Sequence, residues 1–131
     1  MGEARLIKDF MTKIPTSVGL GETITDAMRV MSREGVRHLP VVEAHRVLGL
    51  LSQRELELVG ALEAIDPART SVEIAMIPEP YHVAPDTPLA EVVAEMADKK
   101  MGSSLVMEND ELLGVFTTTD ALAALAKFLG E

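Results

Sequence analysis

A chain of 131 residues, 47% of them hydrophobic, is long enough for one compact domain or two very small ones, each with a real core. Only Phe10, Tyr81, Phe116 and Phe128 are aromatic, so that core must be aliphatic, and the absence of cysteine excludes disulfides, thiolate catalysis and thiolate-bound metals. The net charge of −9, with no lysine or arginine stripe, argues against a nucleic-acid partner, although two or three local cations can still hold a small phosphate ligand.

The opening MGEARLIKDFM lacks the basic-then-apolar order of a signal peptide, and no apolar run approaches membrane-spanning length. A soluble protein in a reducing cytoplasm, with no membrane partner, is the expectation. Beyond this leader, each residue compares with the one 65 positions later. Met11 falls on Met76, Pro15 on Pro80, Val18 on Val83, Met31 on Met96, Val41 on Val106, Glu43 on Glu108, Leu48 on Leu113 and Gly49 on Gly114. Residue class persists where identity is lost, as in Ile24/Leu89, Ser52/Thr117 and Glu55/Asp120. A gapless period of this kind marks a duplicated supersecondary unit. The first copy then spans 1–66 with its leader and the second 67–131, and the two bury one another's apolar faces around a pseudo-twofold axis.

Both copies predict the same elements. An extended piece (Thr16–Val18; Tyr81–Val83) precedes turn residues and a helix, Ile24–Glu34 or Pro88–Lys100, with Thr87 as N-cap and Pro88 in the first turn. A strand follows (His38–Val42; Ser104–Met107), then a tight turn (Glu43–Arg46; Glu108–Glu111), in which Asn109–Asp110 is a strong signal. A second strand (Val47–Leu51; Leu112–Phe116) leads into a helix, Gln53–Ile65 or Thr118–Leu129. The segment Pro67–Met76 carries a short turn or helix and mirrors Ala4–Met11. The fold class is α/β (α+β), two βαββα repeats.

The sharpest local pattern is glycine, two apolar residues, a hydroxyl residue, two more residues and an acid. It runs from Gly49 through Ser52 to Glu55, and from Gly114 through Thr117 to Asp120. Its simplest reading is a capping box at each helix start. A helix start at a strand's end also leaves N–H groups and a positive dipole end open to an anion, and a first-turn acid can accept both hydroxyls of a ribose. Aspartate is short and rigid enough to hold a diol close, which favours Asp120 over Glu55. Arg37 and His38 precede the strand Leu39–Val42, where the second copy has Gly102 and Ser103. The pair is either a solvated charge and a half-buried ring or a phosphate clamp. His38, His45 and His82 lack metal-ligand spacing, no catalytic constellation is present, and the methionines read as core filling.

These residues carry a resemblance. The apolar-Pro-Val-Val strand at Leu39–Val42, the turn, the two Gly…Ser/Thr…acid segments and the Val-x-Pro-Asp-Thr-Pro-Leu opening at Val83–Leu89 resemble a tandem pair of CBS domains, across about residues 6–127. The resemblance implies paired sheets with two clefts, modules that associate into a disk-like dimer, and adenosine-containing ligands such as AMP, ADP, ATP or S-adenosylmethionine. By position it assigns the ribose to Asp120, ribose or phosphate to Thr117, and phosphate to Arg37 and His38. The adenine falls against Ile77 to Val83, including Tyr81 and His82. The function so implied is a non-catalytic regulatory module that needs no cofactor and senses an adenine nucleotide, with S-adenosylmethionine the less favoured ligand. The alternative is an interaction or dimerisation module with vestigial pockets. Abundant apolar positions on the closing helices (Leu56, Leu58, Val59, Leu62; Leu122, Leu125, Phe128) point to a homodimer through helices. The regulated effector would be another protein, unless the chain is a fragment of a longer one.

Overall fold

In a computed structural model, which describes residues 5–13 and 16–131, the elements run in chain order: β1 (Thr12–Lys13), α1 (Ile24–Glu34), β2 (His38–Glu43), β3 (Arg46–Ser52), α2 (Gln53–Gly60), β4 (Ile77–Pro78), β5 (His82–Val83), α3 (Leu89–Lys99), β6 (Ser103–Glu108), β7 (Glu111–Thr117) and α4 (Thr118–Leu129). Single 3₁₀ turns, Ile7–Asp9 and Val72–Ile74, occupy corresponding places in the two leaders; Ala4, assigned to the first leader above, lies outside the described residues. Among the described residues no helix is long and apolar enough to cross a membrane.

The chain folds into two compact units, Pro15–Pro80 and Met1–Ile14 with Tyr81–Glu131. The sequence period divides the chain after residue 66, whereas the packing divides it after 14 and 80, because each leader packs on the body of the other copy. In the first unit β2, β3 and β4 form a sheet in that order, with β4 supplied by the second copy's leader. In the second the order is β1-β7-β6-β5, with β1 supplied by the first copy's leader. The 3₁₀ turns carry one buried anchor each. Val72 sits in the cluster with Ile24, Leu39, Val41, Leu51 and Leu56, and Ile7 in the cluster with Val92, Val106 and Phe116. Backbone bonds fix both anchors: Val72 N–H donates to Glu22 O at 3.0 Å, and Ile7 N–H to Thr87 O at 2.8 Å. On the second unit Phe10 meets Phe128 edge-on at 5.6 Å, and the Arg5 guanidinium lies 4.2 Å over the Phe128 ring.

Both hairpins turn through two residues with left-handed backbone, Ala44 and His45 (φ 48° and 68°) and Asn109 and Asp110 (φ 53° and 65°). Such turns match the twist of the flanking strands. Asn and Asp are suited to this conformation and Ala44 is not, so the first hairpin keeps its register through strand pairing more than through its turn chemistry. Each hairpin carries an irregularity at the same place, between Val41 and Val42 and between Val106 and Met107.

Three expectations need correction. The helix after β3 ends at Gly60 instead of Ile65, because glycine is a poor helix former and the N–H groups beyond it turn to 3₁₀-type bonds: Leu62 N–H donates to Val59 O at 3.2 Å and Ile65 N–H to Leu62 O at 3.0 Å. The cap of α3 is Pro88, without a side-chain bond, and the Thr87 carbonyl instead accepts from the leader at Ile7. The extended piece before Val18 reduces to a single bridge, Val18 to Val41, whereas its counterpart is the parallel strand β5. The reason is Pro40. In the second copy Leu105 N–H donates to Tyr81 O at 2.9 Å, a bond that a proline at the matching position cannot make.

Strands β1 and β4 were not expected, and they explain the repeated glycines. A Cβ on Gly114 would lie 2.6 Å from Met11 Sδ and 2.8 Å from Thr12 O; one on Gly49 would lie 2.8 Å from both Met76 Sδ and Ile77 O. Each leader thus crosses directly over a glycine, and the methionine before the crossing seats on it. Gly114→Ala must push β1 away, and a cost of about 1–3 kcal/mol is expected from overpacking. Gly21→Ala, in open space, should stay within about 0.5 kcal/mol of wild type. Urea denaturation of the two variants checks this; equal midpoints would show that the crossing is not tight.

Candidate functional site

The strand-to-helix turn of the second unit is built by the end of β7 and the start of α4. Thr117 caps α4, accepting from Asp120 N–H at 3.4 Å, while its own N–H donates to Asp120 Oδ2 at 2.9 Å. The Thr117 hydroxyl also donates to Oδ2, at 3.2 Å. The other oxygen, Oδ1, accepts from the Thr12 hydroxyl at 2.9 Å. The capping box read from the sequence is therefore present here, with Thr12 of β1 as a third member. Gly102 closes the turn from the opposite strand, its carbonyl accepting from Thr118 N–H at 3.1 Å.

The first unit's turn is built alike but is chemically weaker. Ser52 accepts from Glu55 N–H at 3.1 Å, yet the Glu55 carboxylate does not reach back to complete a box. Arg37 O takes the place of Gly102 O and accepts from Gln53 N–H at 2.8 Å, and His38 pairs in register with Ser52. Within their own unit, then, Arg37 and His38 stand beside Ser52 and Gln53 at the start of α2. Burial, reinforced by the neighbouring Arg37 charge, lowers the His38 pKa below its usual value. The shift favours the neutral ring.

The remaining residues named from the sequence divide between the units. Ile77 lies on β4, opposite Leu50, and is exposed. Val83 and His82 form β5 beside Leu105 and Val106, and Tyr81 packs against the second unit's core. Burial first, then the Glu95 and Glu91 carboxylates, raise the Tyr81 phenol's pKa, so it remains protonated and can serve as a hydrogen-bond donor. Thr12 was missed. Its signal was available: position 12 carries a threonine where the copy 65 residues later has Ile77.

Among the described residues no group of three or more His, Asp or Glu side chains is placed to hold a metal ion. An apolar groove of about 650 Å³ runs between α3 and α4, lined by Leu89, Val93, Leu122, Leu125 and Phe128, with Arg5 at its rim. It contains no polar cluster.

Comparison with known proteins agrees with this architecture. The CBS domain family model matches residues 7–58 and 71–127. The chain is 29% identical over 120 residues to the A-adding tRNA nucleotidyltransferase of Geobacter sulfurreducens, covering 90% of this chain but only 13% of that protein. Among solved structures, AcuB from Vibrio cholerae superposes with a TM-score of 0.86 at 29% identity, covering 98% of this chain and 95% of that one. The CBS domain pair of protein MJ0100, solved in complex with 5′-methylthioadenosine and S-adenosyl-L-methionine, superposes with a TM-score of 0.85 at 18% identity, covering 95% and 98%. With two matched repeats that together take up most of its length, the chain belongs to the CBS domain family, as a tandem pair.

Proposed function

We propose that this CBS pair is a non-catalytic regulatory module that binds an adenosine-containing ligand, with AMP, ADP or ATP favoured over S-adenosylmethionine. The observation that carries the reading is the Asp120 carboxylate, fixed by the capping box at the start of α4 with Oδ1 toward the exposed Thr12. A ribose diol donates to such a carboxylate, and a phosphate suits the α4 N-terminus and the Thr117 hydroxyl. The sequence resemblance assigns the phosphate's counter-charge to Arg37, with His38 beside it, and the adenine to residues between Ile77 and Val83, Tyr81 and His82 among them. MJ0100, a pair of the same fold, carries two ligands that share this adenosine part. The regulated partner is a separate effector or a further domain. In the tRNA nucleotidyltransferase such a pair is a small part of the protein, and the net charge of −9 speaks against nucleic acid as the direct ligand here.

The second reading, an interaction module with vestigial pockets, draws on the exposed leucines of the closing helices. Leu58 and Leu62 follow the course of α2 and its end; Leu122, Leu125 and Leu129 lie on α4, and each is more than half exposed. Both readings propose a homodimer through these helices, since unpartnered leucine faces of this kind are covered in most soluble proteins. Sedimentation at tens of micromolar should give a dimer; a monomer at that concentration removes this part of the proposal.

Titration calorimetry separates the readings. Asp120→Asn should weaken AMP, ATP, adenosine and S-adenosylmethionine alike, by about ten- to a hundredfold, because the lost charge-assisted bond is common to all. Arg37→Ala should weaken AMP and ATP and leave adenosine unchanged, and Glu55→Gln should alter neither. Folded wild type that binds none of these at millimolar concentration leaves the interaction module standing in place of the sensor.

A further inference from the structure

The number of donors around Asp120 limits how it can take a ligand. A carboxylate has about four lone-pair sites. Three are engaged: two on Oδ2 by the Thr117 N–H and hydroxyl, and one on Oδ1 by the Thr12 hydroxyl. A ribose diol brings two donors, so one protein donor has to leave. The Thr117 bonds are local, made within the capping box three residues away. The Thr12 bond is exposed and spans 108 residues of sequence. It is the contact least supported by its surroundings, and its loss leaves no buried group unpaired.

We propose that Thr12 is a latch on Asp120: its hydroxyl occupies the acceptor a ribose diol needs, and capture of the diol frees β1 from the start of α4. This rests on the ribose reading and gives it an output. β1 is two residues long and both are exposed. β1 is also held by the pairing of Thr12 with Val115 and of Lys13 with Gly114. Residue 13 stands one step from the boundary between the two compact units. Occupancy of a carboxylate in one unit therefore sets the tether of the segment that leads into the other. The matching place in the first unit has Ile77 and Glu55, which cannot form such a bond, so the latch exists on one side of the module only.

The test combines titration with hydrogen exchange on wild type, Thr12→Val and Thr12→Ser, using adenosine and AMP as probes. Valine keeps the β-branched shape a strand favours and removes the donor; serine keeps the donor. Thr12→Val should bind both probes about three- to tenfold more tightly than wild type, the scale of one modest competing hydrogen bond, and Thr12→Ser should match wild type. Adenosine should speed exchange of the backbone at residues 11–13 in wild type, and ligand-free Thr12→Val should already exchange at that faster rate. Equal or weaker binding by Thr12→Val, or greater protection of residues 11–13 with ligand, overturns the latch while leaving the ribose reading intact. Absence of binding by all three proteins overturns both.

Discussion

Two backbone segments pass each other in this molecule at a distance that only glycine permits. The leader of each copy runs over the middle of the other copy's second hairpin strand, at Gly49 and Gly114, close enough that a Cβ would meet the crossing carbonyl at 2.8 Å. Glycine within a strand forfeits side-chain packing and adds conformational entropy to the unfolded chain, so its presence at both places needs a compensating contact. The leader supplies it: a methionine over the glycine, two residues of added strand and, further upstream, a fully buried Ile7 or Val72. Neither hairpin-and-helix body is complete without the segment that precedes the other, and this reciprocal exchange ties the two copies into one folding problem. It also brings Thr12 to Asp120, because the register that sets Thr12 opposite Val115 places its hydroxyl within reach of the α4 cap.

The copies preserve this frame while trading parts inside it. In the first unit Leu39 stands opposite Leu51; in the second Ser104 stands opposite Phe116, and all four are buried. A large and a small side chain replace two of middle size, which conserves volume across the pair, the kind of exchange a packed core tolerates. The Ser104 hydroxyl does not go unsatisfied, donating to Leu105 O at 3.1 Å. Pro40 against Leu105 is a trade in backbone chemistry: the proline removes one donor, and the adjoining extended piece shrinks from a strand to a bridge. Divergence at the positions proposed for a ligand follows the same pattern, with Arg37 and His38 for Gly102 and Ser103, Glu55 for Asp120, and Ile77 for Thr12.

What the sequence shows is what is strong and local. The 65-residue period, the apolar runs in β2, β3, β6 and β7, and the helices α1 and α4 are legible because each is several residues long and repeated. The capping box at Thr117 and Asp120 is legible because its members lie three residues apart. Strands β1 and β4 are not: at two residues each they have no periodicity, and they exist only because a neighbouring strand offers an edge. The exchange of leaders is equally invisible to a period that counts residues rather than contacts. The Thr12–Asp120 bond spans 108 residues, so local patterning does not reach it, although the copy-to-copy mismatch at position 12 marks the place. The early end of α2 at Gly60 was legible in principle, since glycine there outweighs the apolar pattern that continues to Ile65.

Native-state hydrogen exchange at Ile7 and Val72 tests most directly whether each leader is integral to the other copy's body. Both amides donate to backbone carbonyls of the unit they complete, and both side chains are fully buried. They should exchange only by global unfolding, in step with Val41 and Val106 at the centres of the two cores. Exchange of Ile7 or Val72 through a low-energy local opening, while the hairpin strands stay protected, would contradict that claim and make the leaders appendages on two self-sufficient repeats.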